Sequence, residues 1–188
     1  MNDKIKLPLE GLRVVELATV VAAPTASRML CAYGAEVIKV ETLYGDELRR
    51  AGRSEMCPCE DDKNPLFTIS NSSKKLTSIN FKSKEGKEAL LKLIGRADIF
   101  ITNVREASLK RNGLDYESLK EQFPSLIYAH FSGYGPDGPA AAIRALTAPR
   151  SGFAPVPWQT GRRKALSPLF PPTDLEILQQ ARCCYPAS

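Results

Sequence analysis

The 188-residue sequence has few of the residues from which metal and disulfide sites are built. His130 is the only histidine, which excludes a centre with several histidine ligands. Of the five cysteines, Cys31 stands alone and the others form one C-x-C and one C-C pair. An odd number with these spacings resembles neither a disulfide framework nor the C-x₂-C knuckles of a zinc site. We therefore expect reduced thiols and no metal.

Long apolar runs are also missing. No stretch approaches the roughly 18 apolar residues that a membrane-spanning helix needs. The opening residues, MNDKIKLPLEGL, lack the basic-then-apolar order of a secretory signal peptide. With 43% hydrophobic and 25% charged residues, the composition is that of an ordinary globular domain. The sequence thus predicts a cytoplasmic protein without a membrane partner.

Neither common nucleotide-binding fingerprint occurs. There is no G-x-G-x-x-G and no G-x-x-x-x-G-K-[ST], and the first strand-like run leads instead into AAPTASRML. This argues against a dinucleotide-binding Rossmann site or a P-loop. The segment NSSKK, residues 71–75, is either a cationic turn that meets phosphates or a solvated turn. Composition favours the solvated turn, and the same interpretation applies to Arg49 and Arg50.

The net charge of +5 is concentrated at one end. After residue 143 lie six of the 26 basic residues but only two of the 21 acidic ones, together with half of the 14 prolines. A shift of charge and proline confined to one end does not indicate a basic face for nucleic acid. It separates residues 1–140 from an atypical segment, 141–188, which shows no sustained helical or strand periodicity and which we expect to be poorly ordered.

The first 140 residues alternate between strand-like and helix-like segments. Strands are predicted at 12–17, 36–41, 76–80, 99–102 and 126–132, and helices at 24–33, 84–96, 109–113 and 116–122. Pro24 suits the first position of its helix, and Ser83 suits an N-cap. Residues 42–65 are predicted to form a long polar loop. The alternation indicates an α/β fold, a Rossmann-like doubly wound sheet that lacks the dinucleotide fingerprint and is incomplete, with an irregular carboxyl-terminal tail.

Several of these segments occur in an order typical of one enzyme family. LEGLRVVELATVVAAPTASRML is followed by YGAEVIKVE, GD, SNSSKKLTSINFKSKEGKEALLKLIGRADIFITN and LKRNGLDYESLKEQFPSLIYAHFSGYGPDGP. Together they resemble the amino-terminal region of class III coenzyme A (CoA) transferases, the family of formyl-CoA and crotonobetainyl-CoA transferases. The long loop and DKNPLF are most similar to the branch that acts on 2-hydroxyacyl- and cinnamoyl-type thioesters. The resemblance covers residues 7 to about 140.

The resemblance implies a site for CoA at the carboxyl ends of the strands. CoA and acyl-CoA would then be substrates, with a carboxylic acid as the second substrate and no permanently bound cofactor. Matching positions imply that Val20 and Val21 line the start of the site and that Ile79 and Lys82 flank the adenine and phosphate region. Asn103 would lie just past the IFIT strand, and Arg111 would pair with a CoA phosphate. Some members carry a lysine where this chain has Ser132. Full-length members form interlocked homodimers.

The family's chemistry depends on an aspartate that this chain lacks in its printed frame. In the family, that carboxylate attacks the donor thioester and passes through an anhydride and an aspartyl-CoA thioester. It lies in a G-F-G-D-L-A-T-like stretch, about 35 residues after P-G-F-D-x-T-A-F-W. Neither stretch is present. No catalytic residue is therefore assigned, and little or no activity is expected.

Both missing stretches reappear when the tail is read in another frame. Residues 143–146 can then encode P-G-F-D, residues 148–151 T-A-F-W, and residues 173–180 G-F-G-D-L-A-T-S. The family's aspartate codon would fall at Glu176, where it straddles the junction with Ile177. We therefore expect that a one- or two-base insertion or deletion between residues 139 and 143 changed the frame. A naturally divergent tail is the alternative.

Two other functions remain open. An α-methylacyl-CoA racemase of the same fold uses a histidine after the GYG turn, whereas His130 precedes that turn. The second alternative is a fragment that binds CoA without chemistry.

Overall fold

The computed structural model describes residues 6–53, 56–60, 62–135 and 139. The chain divides into two units, residues 1–132 and 133–188, and the described strands and helices all lie in the first. Its strands are β1 (Arg13–Leu17), β2 (Glu36–Glu41), β3 (Lys75–Ser78), β4 (Ile99–Thr102) and β5 (Ile127–His130). Its helices are α1 (Ala22–Ala32), α2 (Leu48–Ala51), α3 (Pro65–Asn71), α4 (Lys84–Ile94), α5 (Glu106–Asn112) and α6 (Tyr116–Gln122).

The five strands form one parallel sheet in the order β3-β2-β1-β4-β5. The register pairs Glu16 with Lys39, Leu17 with Thr102, and Glu41 with Ser78, so the carboxyl ends of the four strands concerned lie along one edge. Parallel strands need crossover connections, and at least one helix supplies each of them. The predicted α/β fold is confirmed.

Neighbouring residues of β1 face opposite sides of the sheet, and each side has its own core. Val15 packs in a cluster with Leu90 and Ile94 of α4, together with residues of α5 and α6. Val14 packs in a second cluster with Ala23 of α1. Because successive strand side chains alternate in direction, the two clusters lie on opposite faces. Helices therefore cover both faces of the sheet.

Local residue preferences explain where several helices begin and end. Ser83 is the N-cap of α4, as predicted, and its Oγ accepts a hydrogen bond from the Gly86 amide at 3.1 Å. Asp115 caps α6 in the same way through the Ser118 amide. Gly113 ends α5 with φ 61°, a left-handed conformation that glycine adopts without a Cβ clash.

The sequence interpretation was wrong in three places before β3. The predicted loop over residues 42–65 contains helix α2, and α3 begins at its end. Helix α1 starts at Ala22, so Pro24 occupies its third position rather than its first. The turn before β3 is not simply solvated, because the Lys74 side chain is completely buried. The last of these errors arose from a distant contact, because Lys74 is paired with Glu16, which lies 58 residues earlier in the chain.

None of the helices in the described part of the chain has the length and apolar content of a membrane span.

Candidate functional site

The carboxyl edge of the sheet is where ligands of open α/β folds bind. Four segments meet there: the β1–α1 turn, the segment after β2, the segment after β3, and Asn103 after β4. Hydrogen bonds connect all four segments into one continuous arrangement.

Asn103 holds the chain as it leaves β1. Its side-chain oxygen accepts a hydrogen bond from the Thr19 amide at 3.0 Å, and its side-chain nitrogen donates to the Thr19 carbonyl at 2.8 Å. The neighbouring Thr102 hydroxyl donates to the Leu17 carbonyl at 2.8 Å. An asparagine amide carries both a donor and an acceptor, so one side chain satisfies both backbone groups of Thr19.

The next residue, Val20, has a left-handed backbone with φ 67°. This conformation is a genuine outlier for a β-branched residue and persists only where surrounding contacts impose it. One such contact is visible, because the Val20 amide donates to Oδ1 of the buried Asp46 at 3.1 Å. Strained backbone of this kind is concentrated at functional sites in proteins.

Asp46 continues the arrangement toward β2 and β3. Its amide donates to Oε2 of Glu41 at 3.1 Å, and the Glu41 carbonyl accepts from the Ile79 amide at 2.9 Å. Asn103, Thr19, Val20, Asp46, Glu41 and Ile79 thus form one chain of contacts across the carboxyl edge.

A buried cluster of charges lies beneath this edge. Lys39 Nζ lies 2.8 Å from Oε1 of Glu16 and 2.9 Å from Oδ2 of Asp46, and Lys74 Nζ lies 2.7 Å from Oε2 of Glu16. The Ser27 hydroxyl also donates to Glu16. The side chains of all four charged residues are fully buried. Two cations thus face two carboxylates, so the cluster carries no net charge.

Burial affects the ionisation of Lys74. Removal from water lowers the pKa of its ammonium group, and the Glu16 carboxylate opposes that shift. Lys74 also donates to the Pro24 carbonyl at 2.7 Å and to the Asn71 side chain at 3.0 Å. It therefore links α3 to the first turn of α1 and is not available to a phosphate in solution.

Arg49 likewise has internal partners. Its guanidinium group makes two hydrogen bonds to Glu41, at 2.8 and 2.9 Å, and lies 3.8 Å from the centroid of the Phe67 ring. Glu41 and Arg49 border an open groove of about 370 Å³ beside the carboxyl ends of β2 and β3, which Leu43, Tyr44 and Leu76 also line. Arg50 is exposed. Of the two arginines, only Arg50 fits the predicted solvated character.

Four of the six predicted site residues lie together along this edge. Val20 and Val21 form the β1–α1 turn, Ile79 follows β3, and Asn103 follows β4. Val21 is the N-cap residue of α1 but provides no side-chain cap, and no acidic residue occupies the first turn. The partial positive charge of this helix end therefore faces the edge without a side-chain anion from its own first turn.

Lys82 and Arg111 lie further from that arrangement. Lys82 is exposed in the turn that joins β3 to α4, and it has no hydrogen bond or ion pair with any residue in the described ranges. Arg111 is exposed in the last turn of α5, and its side chain likewise has no hydrogen bond or ion pair within the same ranges. It lies five residues after the start of α5, or roughly 8 Å along the helix axis.

The sequence interpretation missed the buried charges. Glu16 lies between Val15 and Leu17 in RVVEL, and Lys39 lies between Ile38 and Val40 in EVIKVE. A charge in a strand covered on both faces must be paired, and this signal could have been recognised. Asp46 gave no comparable signal, because it follows a turn glycine in a polar segment.

Other candidate groups have structural partners. A ring nitrogen of His130, Nε2, lies 2.9 Å from the Val104 carbonyl oxygen, and Nδ1 lies 3.6 Å from the Glu106 carboxylate. Burial raises the pKa of the Cys31 thiol. Among the described residues there is no group of three or more His, Cys, Asp and Glu side chains that could hold a metal ion. Ser132 is exposed, and Glu176 lies outside the described residues.

Comparison with known proteins decides the family. The family model described as "CoA-transferase family III" matches residues 9–168. The chain belongs to CoA-transferase family III. The match extends beyond residue 143, into the segment whose reading frame is in question.

Curated relatives of this family III chain include enzymes from several bacteria. It is 49% identical over 131 residues to an (R)-2-hydroxy-4-methylpentanoate CoA-transferase of Clostridioides difficile, which corresponds to 70% of this chain and 33% of that protein. It is 44% identical over 129 residues to a cinnamoyl-CoA:phenyllactate CoA-transferase of Clostridium sporogenes, covering 69% of this chain and 31% of that protein. The predicted resemblance to this branch is confirmed.

A solved structure supports the fold. A CAIB/BAIF family protein from Brucella suis aligns with a TM-score of 0.68 and 39% identity, over 73% of this chain and 36% of that one. The family III chain thus spans about a third of the length of the relatives that it matches.

Proposed function

We propose that residues 1–140 form the CoA-binding part of an enzyme that transfers CoA from an acyl-CoA thioester to a carboxylic acid. The observation that carries this proposal is the carboxyl edge, where a left-handed turn, an uncapped helix end and Asn103 are held together. Backbone amides at a helix end suit a phosphate or diphosphate. The similarity to a 2-hydroxy-4-methylpentanoate and a phenyllactate CoA-transferase supports 2-hydroxyacyl or cinnamoyl thioesters as the substrate class.

The proposed division of roles follows from where the residues lie. Val20 and Val21 contact CoA at the turn after β1, and Ile79 provides an apolar surface beside the adenine. Lys82 and Arg111, which have no ion-pair partner among the described residues, provide cations for the phosphates. Asn103 acts through the Thr19 backbone, because both ends of its amide are used there.

Calorimetric titration of the 188-residue chain with CoA tests this proposal. We expect saturable binding that is weakened about tenfold by Lys82→Met and by Arg111→Met, since each loses one charge-assisted contact. Matched controls are Lys92→Met and Arg96→Met, which remove exposed cations at the opposite end of α4. Repeating the titration with 3′-dephospho-CoA shows which cation binds the 3′-phosphate. Substitution of that cation should no longer weaken binding, because the ligand lacks the phosphate that it contacts. Absence of binding by the unsubstituted chain would contradict the proposal.

We further propose that this polypeptide transfers CoA poorly or not at all. The family's aspartate has no counterpart in the printed frame, and its codon would fall at Glu176 in another. A thioester-exchange assay on the purified chain should show no turnover. Ordinary enzyme turnover would overturn this expectation. Coding DNA without a continuous transferase reading in the second frame would overturn the proposed change of frame.

The racemase alternative makes a separate prediction. A racemase would exchange the α-proton of a 2-methylacyl-CoA with solvent deuterium. His130, the chain's single histidine, lies in β5 with its ring against the Val104 carbonyl, which offers no support for that role. We expect no exchange, and observed exchange that is lost in His130→Gln would favour the racemase.

A further inference from the structure

We propose that Asp46 is a positioning residue of the CoA site, which acts by holding the left-handed backbone of Val20. This inference rests on the proposed function for its effect on ligand, but the contact itself can be tested without ligand. Asp46 does not need to touch CoA. Its role is to fix the turn from which Val21 and helix α1 begin.

The contacts of Asp46 leave its carboxylate a single arrangement. One oxygen, Oδ1, accepts hydrogen bonds from the Val20 amide at 3.1 Å and from the Leu48 amide at 3.0 Å. The other, Oδ2, lies 2.9 Å from Nζ of Lys39. The Asp46 amide is held in turn by Glu41. With its side chain fully buried, Asp46 connects the β1–α1 turn, β2 and the start of α2.

Val20 needs such a contact because its conformation is unfavourable. A φ of 67° brings the Cβ of a β-branched residue close to its own backbone. Asn103 fixes the preceding residue, Thr19, and leaves the Val20 amide to Asp46. Without Asp46, Val20 can relax toward an extended conformation. Such a change would reorient Val21 and the first amides of α1, which are the groups proposed to meet CoA.

Amide hydrogen exchange of the ligand-free chain tests the contact directly. Asp46→Ala should raise the exchange rate of the Val20 amide at least tenfold, because its buried acceptor is lost. The matched control is Asp115→Ala, which removes another buried aspartate that accepts from a backbone amide, at the start of α6. That substitution should leave exchange at Val20 unchanged. Equal exchange at Val20 in all three proteins would overturn the inference.

A double-mutant cycle tests the effect on ligand. Asp46→Ala alone should weaken CoA binding about tenfold. Val20→Gly removes the penalty for a positive φ, so adding Asp46→Ala to Val20→Gly should weaken binding less than about threefold. If Asp46→Ala has the same effect with and without Val20→Gly, Asp46 does not act through this turn.

Asp46→Asn distinguishes the effect of the hydrogen bond with Val20 from the effect of the negative charge. Its amide oxygen can still accept from Val20 and Leu48, but the negative charge opposite Lys39 is lost. We expect slow exchange at Val20 and a CoA affinity within about threefold of the unsubstituted chain. Should Asp46→Ala fail to fold, this variant decides alone, and fast exchange at Val20 in folded Asp46→Asn would overturn the inference. The two proposals can also fail separately. If no variant binds CoA, but the Val20 amide exchanges fast in Asp46→Ala alone, the proposed function is rejected and the positioning role of Asp46 is kept.

Discussion

Lys39 and Glu16 are opposite each other on neighbouring strands, with Nζ 2.8 Å from Oε1 and neither side chain exposed. The pair lies on the same face of the sheet as Val14 and Val37, whose positions would otherwise predict a purely apolar core there. Desolvation of such a pair is unfavourable unless each charge has several partners. Here Lys39 also reaches Asp46 and the Ala18 carbonyl, and Glu16 also reaches Lys74 and Ser27.

The first prediction concerns this pair. Lys39→Met should destabilise the fold by on the order of 3–5 kcal/mol, because it leaves the buried Asp46 without its cation and Glu16 with Lys74 alone. Urea unfolding followed by circular dichroism measures the change. Lys110→Met is the matched control, since Lys110 pairs with Glu106 on the exposed surface of α5 at 3.4 Å and should contribute under about 0.5 kcal/mol. Equal losses of unfolding free energy in the two variants would show that the buried ion pair stabilises the fold no more than an exposed one.

The second prediction concerns Asn103. Asn103→Asp keeps an acceptor for the Thr19 amide but replaces the donor to the Thr19 carbonyl by a repelling oxygen. We expect a loss of about 1–3 kcal/mol in unfolding free energy and a CoA affinity reduced about tenfold. Asn112→Asp is the control, because Asn112 donates to the Ser108 carbonyl within α5. It should lower stability without a matching loss of affinity, and an equal loss in both variants would argue against a specific role for Asn103.

The third prediction concerns alkaline stability. Burial raises the pKa of the Tyr128 hydroxyl above its ordinary value of 10.0, and the hydroxyl donates to the Leu114 carbonyl at 3.0 Å. The folded protein therefore keeps this proton at pH values where the unfolded chain has lost it. The resulting stabilisation is complete below pH 10 and declines as the pH rises from about 10 through the raised pKa.

Tyr128→Phe should accordingly flatten the decline of the unfolding free energy above pH 10. Tyr116→Phe, at an exposed tyrosine whose ring packs against that of Tyr128, is the control and should leave the slope as it is. Denaturant unfolding at a series of pH values between 8 and 11 measures both slopes. Identical slopes in Tyr128→Phe and the unsubstituted chain would contradict the assignment.

The fourth prediction concerns the start of α4. Ser83→Ala removes the acceptor for the Gly86 amide and should destabilise the fold by about 1 kcal/mol. Ser125→Ala, at an exposed serine outside the helices, should change the unfolding free energy by less than about 0.5 kcal/mol. Thermal or urea unfolding distinguishes the two variants. An unchanged unfolding free energy in Ser83→Ala would mean that another group accepts the hydrogen bond from the Gly86 amide.

Sequence patterns identified the elements that depend on neighbouring residues. The bounds of β2, β4 and α6 were predicted as the structure has them, and the Ser83 cap was predicted from the residue type alone. Helix α3 was missed, although its N-cap Asn64 precedes Pro65 at the first helical position and accepts from the Phe67 amide. The DKNPLF segment therefore carried a helix-start signal that the interpretation as a loop overlooked.

The sequence by itself determined the family, the alternation of strands and helices, and the segments that end at the carboxyl edge. These properties follow from residue order and local periodicity, which a single chain displays directly. Only the tertiary structure decided that Lys74 and Arg49 have internal partners and that Asp46 holds Val20. Those contacts join residues 8 to 58 positions apart, and their strength comes from burial, which local sequence does not specify.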